Sequence, residues 1–311
     1  MIDKGEMLKK VVDNVEKVIV GKREAIELAL CSFLCGGHVL IEDMPGVGKT
    51  SLVSSIAKSF EMSFRRIQFT PDILPSDITG FSMYNQKEGE FEYRAGAIMS
   101  NIVLADEINR TSPKTQSALL EVMEEGQVTV DGDTYHVPKP FIVFATQNPI
   151  EYLGTYPLPE AQLDRFFMRI SLGYPKACEE LTMLERFGEA NPIKTLESVA
   201  SLKDLEELQK AAAGVYVSKD MGKYIVDIVR ATRENKDIAL GGSPRASLSL
   251  YKAAQAWAFY NNRDHVVPDD IIKMAAPVLE HRLVLKQEAH LKRLTTRGII
   301  DSIVRSVRAN I

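Results

Sequence analysis

Residues 38 to 60 read HVLIEDMPGVGKTSLVSSIAKSF: an apolar run, then a glycine-bearing turn, then a helical pattern. Few local features restrict a chain more, because this order turns the backbone into a cradle for phosphate at the start of a helix. Gly46 and Gly48 let the loop curl so that its N–H groups face phosphate oxygens, and the following helix adds its positive N-terminal end. Lys49 is placed for the β- and γ-phosphates and Thr50 for Mg²⁺. Pro45, Gly46, Val47, Gly48, Lys49, Thr50 and Ser51 are thus the candidate ATP-binding loop. The first glycine of the usual pattern is Asp43 here, which leaves the strand-to-loop turn unspecified.

A strand feeding such a loop belongs in a parallel sheet covered by helices on both faces. Five runs supply one: 38 to 42, 64 to 69, 101 to 106, 141 to 148 and 166 to 172. Most are nearly continuous in apolar residues, as doubly covered strands must be. The expected fold is therefore α/β, a P-loop three-layer arrangement around a five-stranded parallel sheet. The run Ile102 to Ala105 delivers Asp106 and Glu107 to a strand end. Asp106 then reads as the Mg²⁺ carboxylate, acting through water, and Glu107 as the base that activates the attacking water. Asn148 ends another run and could hold that water opposite Glu107. Arg165 and Arg245 have no evident charge partner nearby in sequence, and a γ-phosphate needs such cations.

Two segments interrupt the alternation. Residues 69 to 96 are longer than an ordinary connection, which suggests a functional insertion with short elements of its own. GQVTVDGDTYHV contains two alternating runs around Asp131-Gly132, the chemistry of a β-hairpin. After Tyr174-Pro175 the β-rich runs stop and helical periodicity continues to the end, with four or five helices expected. Ser243-Pro244 resembles an N-cap followed by a first-turn proline, and Pro277 should kink or break the segment that begins at Pro268. The expected domains are 1 to 190 and 191 to 311.

Composition narrows the rest. With 45% hydrophobic and 26% charged residues the chain has the balance of a globular protein, and no apolar run approaches a membrane span. The charged N-terminus lacks a secretory pattern, so a cytoplasmic location is expected. Cys31, Cys35 and Cys178 do not make a disulfide framework. Cys31 and Cys35 lie one helical turn apart, with His38 following, in an apolar stretch that favours a buried structural role over a metal site. The net charge of -4 gives no general attraction to nucleic acid.

The motifs EDMPGVGKT (42 to 50), RIQFTPDILPSDITG (66 to 80), VLADEINRTSPKTQSALLEVMEE (103 to 125), ATQNP (145 to 149), YPLPEAQLDRF (156 to 166) and SPRA (243 to 246) together resemble the MoxR-type AAA+ ATPases. These belong to the helix-2-insert group with magnesium chelatase, MCM helicases and dynein. The resemblance implies an ATPase with an α/β nucleotide-binding domain and a C-terminal all-helical lid. It makes Asn148 the sensor-1 residue, Arg165 the arginine finger offered to a neighbouring subunit and Arg245 the sensor-2 residue of the lid. Val20 and Gly21 would lie against adenine. The insertion would hold the group's extra helix, and residues 127 to 137 would form the presensor hairpin. It also implies a homo-oligomeric, hexameric ring that remodels or activates protein complexes as a chaperone. The implied protein partners include a von Willebrand A domain protein as client, and the implied tasks include the insertion of a metal cofactor.

A nucleic-acid motor or a magnesium-chelatase-like subunit would share the fold and the site. The motor predicts a basic, aromatic-bearing hairpin, whereas this one offers Asp131 and Asp133 with only Lys139 nearby, so protein clients are expected. A passive scaffold would lose its base or its finger, and Glu107 and Arg165 are both present.

Overall fold

In a computed structural model, residues 4–148, 154–189 and 192–307 are described. The strands in chain order are β1 (Val39–Glu42), β2 (Phe64–Gln68), β3 (Gly80–Asn85), β4 (Glu90–Ala95), β5 (Ile102–Asp106), β6 (Gln127–Val130), β7 (Asp133–His136), β8 (Ile142–Gln147), β9 (Met168–Ile170), β10 (Ile238–Leu240) and β11 (Val284–Leu285). The five expected runs form one parallel sheet in the order β2-β5-β8-β1-β9. Every residue of β5 is buried, as a central strand covered on both faces requires.

Helices α1 (Lys4–Glu16), α2 (Arg23–Leu34), α3 (Lys49–Ser59), α4 (Pro75–Thr79), α5 (Pro113–Glu125), α6 (Glu160–Leu163) and α7 (Ala177–Glu189) accompany the sheet. They are followed by α8 (Pro192–Thr195), α9 (Leu202–Ala213), α10 (Lys219–Glu234), α11 (Pro244–Tyr260), α12 (Pro268–Leu279), α13 (Gln287–Leu291) and α14 (Thr296–Ser306). Alternation along the strands divides the core. Val39 and Ile41 face one cluster with α1, α2 and α3, while Leu40, Val103 and Val143 face another with Leu119, Leu120 and Met123 of α5. The first cluster runs on into the C-terminal helices, where α11 packs against α2. The expected domain boundary between residues 190 and 191 lies outside the described residues. No described helix is long and apolar enough to cross a membrane.

The hairpin expected at Asp131-Gly132 is β6–β7, and both turn residues are left-handed (φ 51° and 95°), as a type I′ turn needs. The long insertion is chiefly a second hairpin, β3–β4, preceded by the single short helix α4. Tyr93 of β4 stacks on Tyr135 of β7 at 3.9 Å, joining the two hairpins.

The C-terminal part departs from expectation in two places. It carries the small antiparallel pair β10–β11 among its helices, and five of those helices have ten or more residues with shorter ones between. Pro277 does not break its helix. α12 continues to Leu279 and passes into a 3-10 turn at Glu280–Arg282. Packing of α12 against α11 and β9 holds the last turn despite the missing N–H. Ser243 does cap α11, accepting from the Ala246 N–H, with Pro244 in the first turn.

Arg282 ties this part to the sheet. Its buried guanidinium donates to Asp164 Oδ1 (2.8 Å), Val278 O (2.6 Å), Phe166 O (2.6 Å) and Ser249 Oγ (3.1 Å). Arg169 of β9 adds a second tie, pairing with Glu42 on one side and Glu280 on the other. Removing Arg282 would take the donor from Asp164 Oδ1 and from several buried carbonyls, so Arg282→Ala is expected to destabilise the fold by about 3–5 kcal/mol. Urea unfolding of the variant beside the unaltered chain measures this.

Candidate nucleotide site

The phosphate loop follows β1 directly. Gly46 and Gly48 have φ of 83° and 93°, a region costly for residues with a Cβ. Gly48 precedes α3, and no side chain caps the helix, so its first N–H groups are left to face a ligand. Lys49 Nζ donates to Asp43 O (3.0 Å), folding the side chain back over the loop.

Asp43 settles the turn that its sequence position left open. Its buried carboxylate accepts from Ser171 Oγ (2.8 Å), the Gly173 N–H (3.0 Å) and the Leu172 N–H. The residue in the glycine position is therefore a brace between the loop entry and the segment after β9. That segment reaches the expected adenine side, because Lys22 Nζ donates to Tyr174 O at 2.8 Å. Ile19, which precedes Val20 and Gly21, lies beside Gly48. A cleft of about 720 Å³ opens along Gly21, Lys22, Ser171 and Leu172.

Parallel pairing places the remaining residues. β8 lies between β1 and β5, so Asn148, at its end, stands between the phosphate loop and the carboxylates that end β5. Asp106 is buried: Thr146 Oγ1 donates to Oδ1 (2.6 Å), and Arg66 donates to Oδ2 through Nη2 (2.6 Å) and Nε (3.1 Å). Glu107 sits in the left-handed region (φ 58°, ψ 50°), a strained backbone for a residue with a side chain. Its N–H is fixed by Thr146 Oγ1 at 2.8 Å, and its Oε2 accepts from Gln68 Nε2 (2.9 Å) and Arg110 Nη1 (3.0 Å). This turn aims the two adjacent carboxylates in different directions. Sequence reasoning missed Arg66, Gln68, Arg110 and Thr146; for Gln68 and Thr146 the usable signal was a polar residue at the end of a neighbouring strand.

Arg165 and Arg245 are elsewhere. Val39 pairs with Met168, so Arg165 lies below the N-terminal end of β1, whereas the loop follows its other end. The four residues of β1 alone span about 13 Å. Arg245, in the first turn of α11, is beside Arg165, and both find in the fold the charge partner that their own segments lack. Arg165 Nη2 and Arg245 Nη2 pair with Glu124 at 3.1 and 2.6 Å. Glu124 is remote from both in sequence and adjacent only in the fold. Nearby, Cys31 is buried and Cys35 Sγ points to Lys252 O. His38 uses both ring nitrogens on backbone, at Met123 O and the Val143 N–H, and burial lowers its pKa to about 4, keeping it neutral.

The comparisons follow the same division. A profile for the ATPase family associated with various cellular activities (AAA) matches residues 38–168, and one for the AAA lid domain matches 230–303. Chaperone MoxR1 of Mycobacterium tuberculosis is 42% identical, over 96% of this chain and 81% of the relative. The chain belongs to the MoxR family of AAA+ ATPases. Protein YeaC of Bacillus subtilis is 53% identical over 97% of this chain and 94% of its own. A crystal structure of a candidate ATPase from Cytophaga hutchinsonii superposes with a TM-score of 0.92 at 43% identity, covering 99% of this chain and 96% of that one. In this MoxR-family chain, the loop, Asn148 and the two carboxylates gather at one end of the sheet, and the arginines of the core and the lid gather at the other.

Proposed function

We propose that the protein is a Mg²⁺-dependent ATPase that works as a homo-oligomeric ring, six subunits by family resemblance, and remodels protein clients. The observation that carries this reading is the separation of Arg165 and Arg245 from the loop of their own subunit, which makes each site incomplete until a neighbour supplies them.

The residues present suit Mg-ATP. Left-handed glycines, an uncapped helix start and Lys49 offer donors to phosphate. Thr50 and Asp106 supply the hydroxyl and carboxylate oxygens that Mg²⁺ prefers. The ion, when bound, offsets charge on the phosphates. Arg66 must release Asp106 for this to happen. Glu107 takes a proton from the attacking water, Asn148 orients that water, and Val20 and Gly21 border the base. A neighbour's Arg165 and Arg245 stabilise the charge that develops on the transferred phosphoryl group.

Protein clients are favoured over nucleic acid by the acidic Asp131 and Asp133 of the β6–β7 turn, and by the chaperone relative. We place the boundary between the nucleotide-binding domain and the lid at residues 190/191.

The loop assignment is tested by calorimetry. Lys49→Ala should lose most ATP affinity, because the charge facing the β- and γ-phosphates is gone. Equal binding by the variant and the unaltered chain would sink it.

A further inference from the structure

Two guanidiniums from different parts of the chain converge on one carboxylate. Arg165 belongs to the loop before β9 and Arg245 to the lid helix α11, yet each takes one oxygen of Glu124 at the end of α5. Side chains flanking them in sequence are also joined. Ser243 Oγ, which caps α11, donates to Asp164 Oδ2 at 2.8 Å, and Arg282 donates to Asp164 Oδ1 at 2.8 Å. The two arginines are thus carried on one hydrogen-bonded node.

Like charges held this close repel unless an anion lies between them. They line a cleft of about 420 Å³ together with Lys252 and Arg282, so four cations face the carboxylates of Glu124 and Asp164. His38, also in the lining, is neutral because burial lowers its pKa. Contact with Arg245, reinforced by the charge of Arg165, holds the Glu124 carboxyl below its usual range. The three side chains remain 31 to 45% exposed, so the pairs are weak and readily exchanged for a more highly charged anion.

The geometry points to Glu124 as a positioning residue: in the free subunit it holds Arg165 and Arg245 as one two-pronged clamp, which passes to the polyphosphate of a neighbouring subunit on assembly. This rests on the ring-ATPase reading above. Glu124 touches no nucleotide of its own subunit, because the loop lies at the far end of the sheet. Its contribution is preorganisation, sparing the arginines the search for a common orientation when the neighbour docks.

The test is steady-state ATPase of Glu124→Gln, Glu124→Asp and Glu124→Ala, each with and without Arg165→Ala. Glu124 is exposed at a helix end, so these variants should fold, and thermal melting checks that they do. Glu124→Gln and Glu124→Ala should lower kcat about tenfold with KM for ATP unchanged, and Glu124→Asp should recover part of the rate. With Arg165→Ala already present, Glu124→Gln should cost clearly less than it does alone, because one of the two arginines it positions is gone. Unchanged kcat in Glu124→Gln, losses that simply multiply with Arg165→Ala, or a faster enzyme, which would make Glu124 a competitor for the clamp, would each overturn the assignment. Wild-type turnover by Arg165→Ala alone would instead remove the underlying finger reading, so the two failures are distinguishable.

Discussion

Arg165→Ala is expected to lower ATP turnover about 10³- to 10⁵-fold, the range over which an arginine finger acts, while nucleotide affinity of the free subunit stays unchanged. The asymmetry follows from position. Arg165 stands at the opposite end of the sheet from Lys49, so it cannot contribute to binding in its own subunit, and its charge matters only where a neighbour's phosphoryl group passes through its transition state. Mixing tests the trans arrangement directly. An Arg165→Ala subunit keeps its own Glu107, a Glu107→Gln subunit keeps its finger, and in a head-to-tail ring about a quarter of the interfaces of a random equal mixture are whole. Activity should reappear from two inactive proteins. Doping each variant into the unaltered protein separates this from a requirement for coordinated firing around the ring. Wild-type turnover by Arg165→Ala alone would show that the residue is only a surface arginine.

Glu107→Gln should retain ATP binding and lose turnover by about 10²- to 10⁴-fold, the usual contribution of a positioned general base. The substitution preserves the size of the side chain and leaves Lys49, Thr50 and Asp106 untouched. Its N–H anchor on Thr146 is backbone and also survives. Calorimetry together with phosphate release checks both halves, and a variant that still hydrolyses at the original rate would assign the base elsewhere. Because such a ring stays loaded, it should also retain its client. Isolating the protein that accompanies Glu107→Gln but not Lys49→Ala would test the remodelling role.

Much of the site was legible because the signals are local. An apolar run that ends in Asp106 and Glu107, or a strand that runs into Gly46 to Thr50, carries its own context, and parallel pairing then brings the strand ends together. What stayed hidden depends on residues far apart. Nothing near Arg245 announces Glu124, 121 residues away, and nothing near Asp43 announces the amides of 172 and 173. The substitution looked like a defect in the loop, yet its carboxylate is fully used. Pro277 shows the opposite: of the kink or break that its position suggested, the break did not follow, because packing against β9 and α11 carried the helix past it. The second hairpin in the insertion was masked by the absence of an Asn-Gly or Asp-Gly pair at its turn.

The buried node at Arg282 also limits how this chain can be recombined. A lid exchanged with that of a relative would bring its own counterparts of Ser243 and Arg282, which both meet Asp164 or the carbonyls beside it, and of Ser249, which accepts from Arg282. The natural unit of exchange is therefore not a continuous stretch of sequence. It is the lid together with the four residues 164 to 167, and a splice that respects the linker while ignoring that distant loop would leave a buried cation without its acceptors.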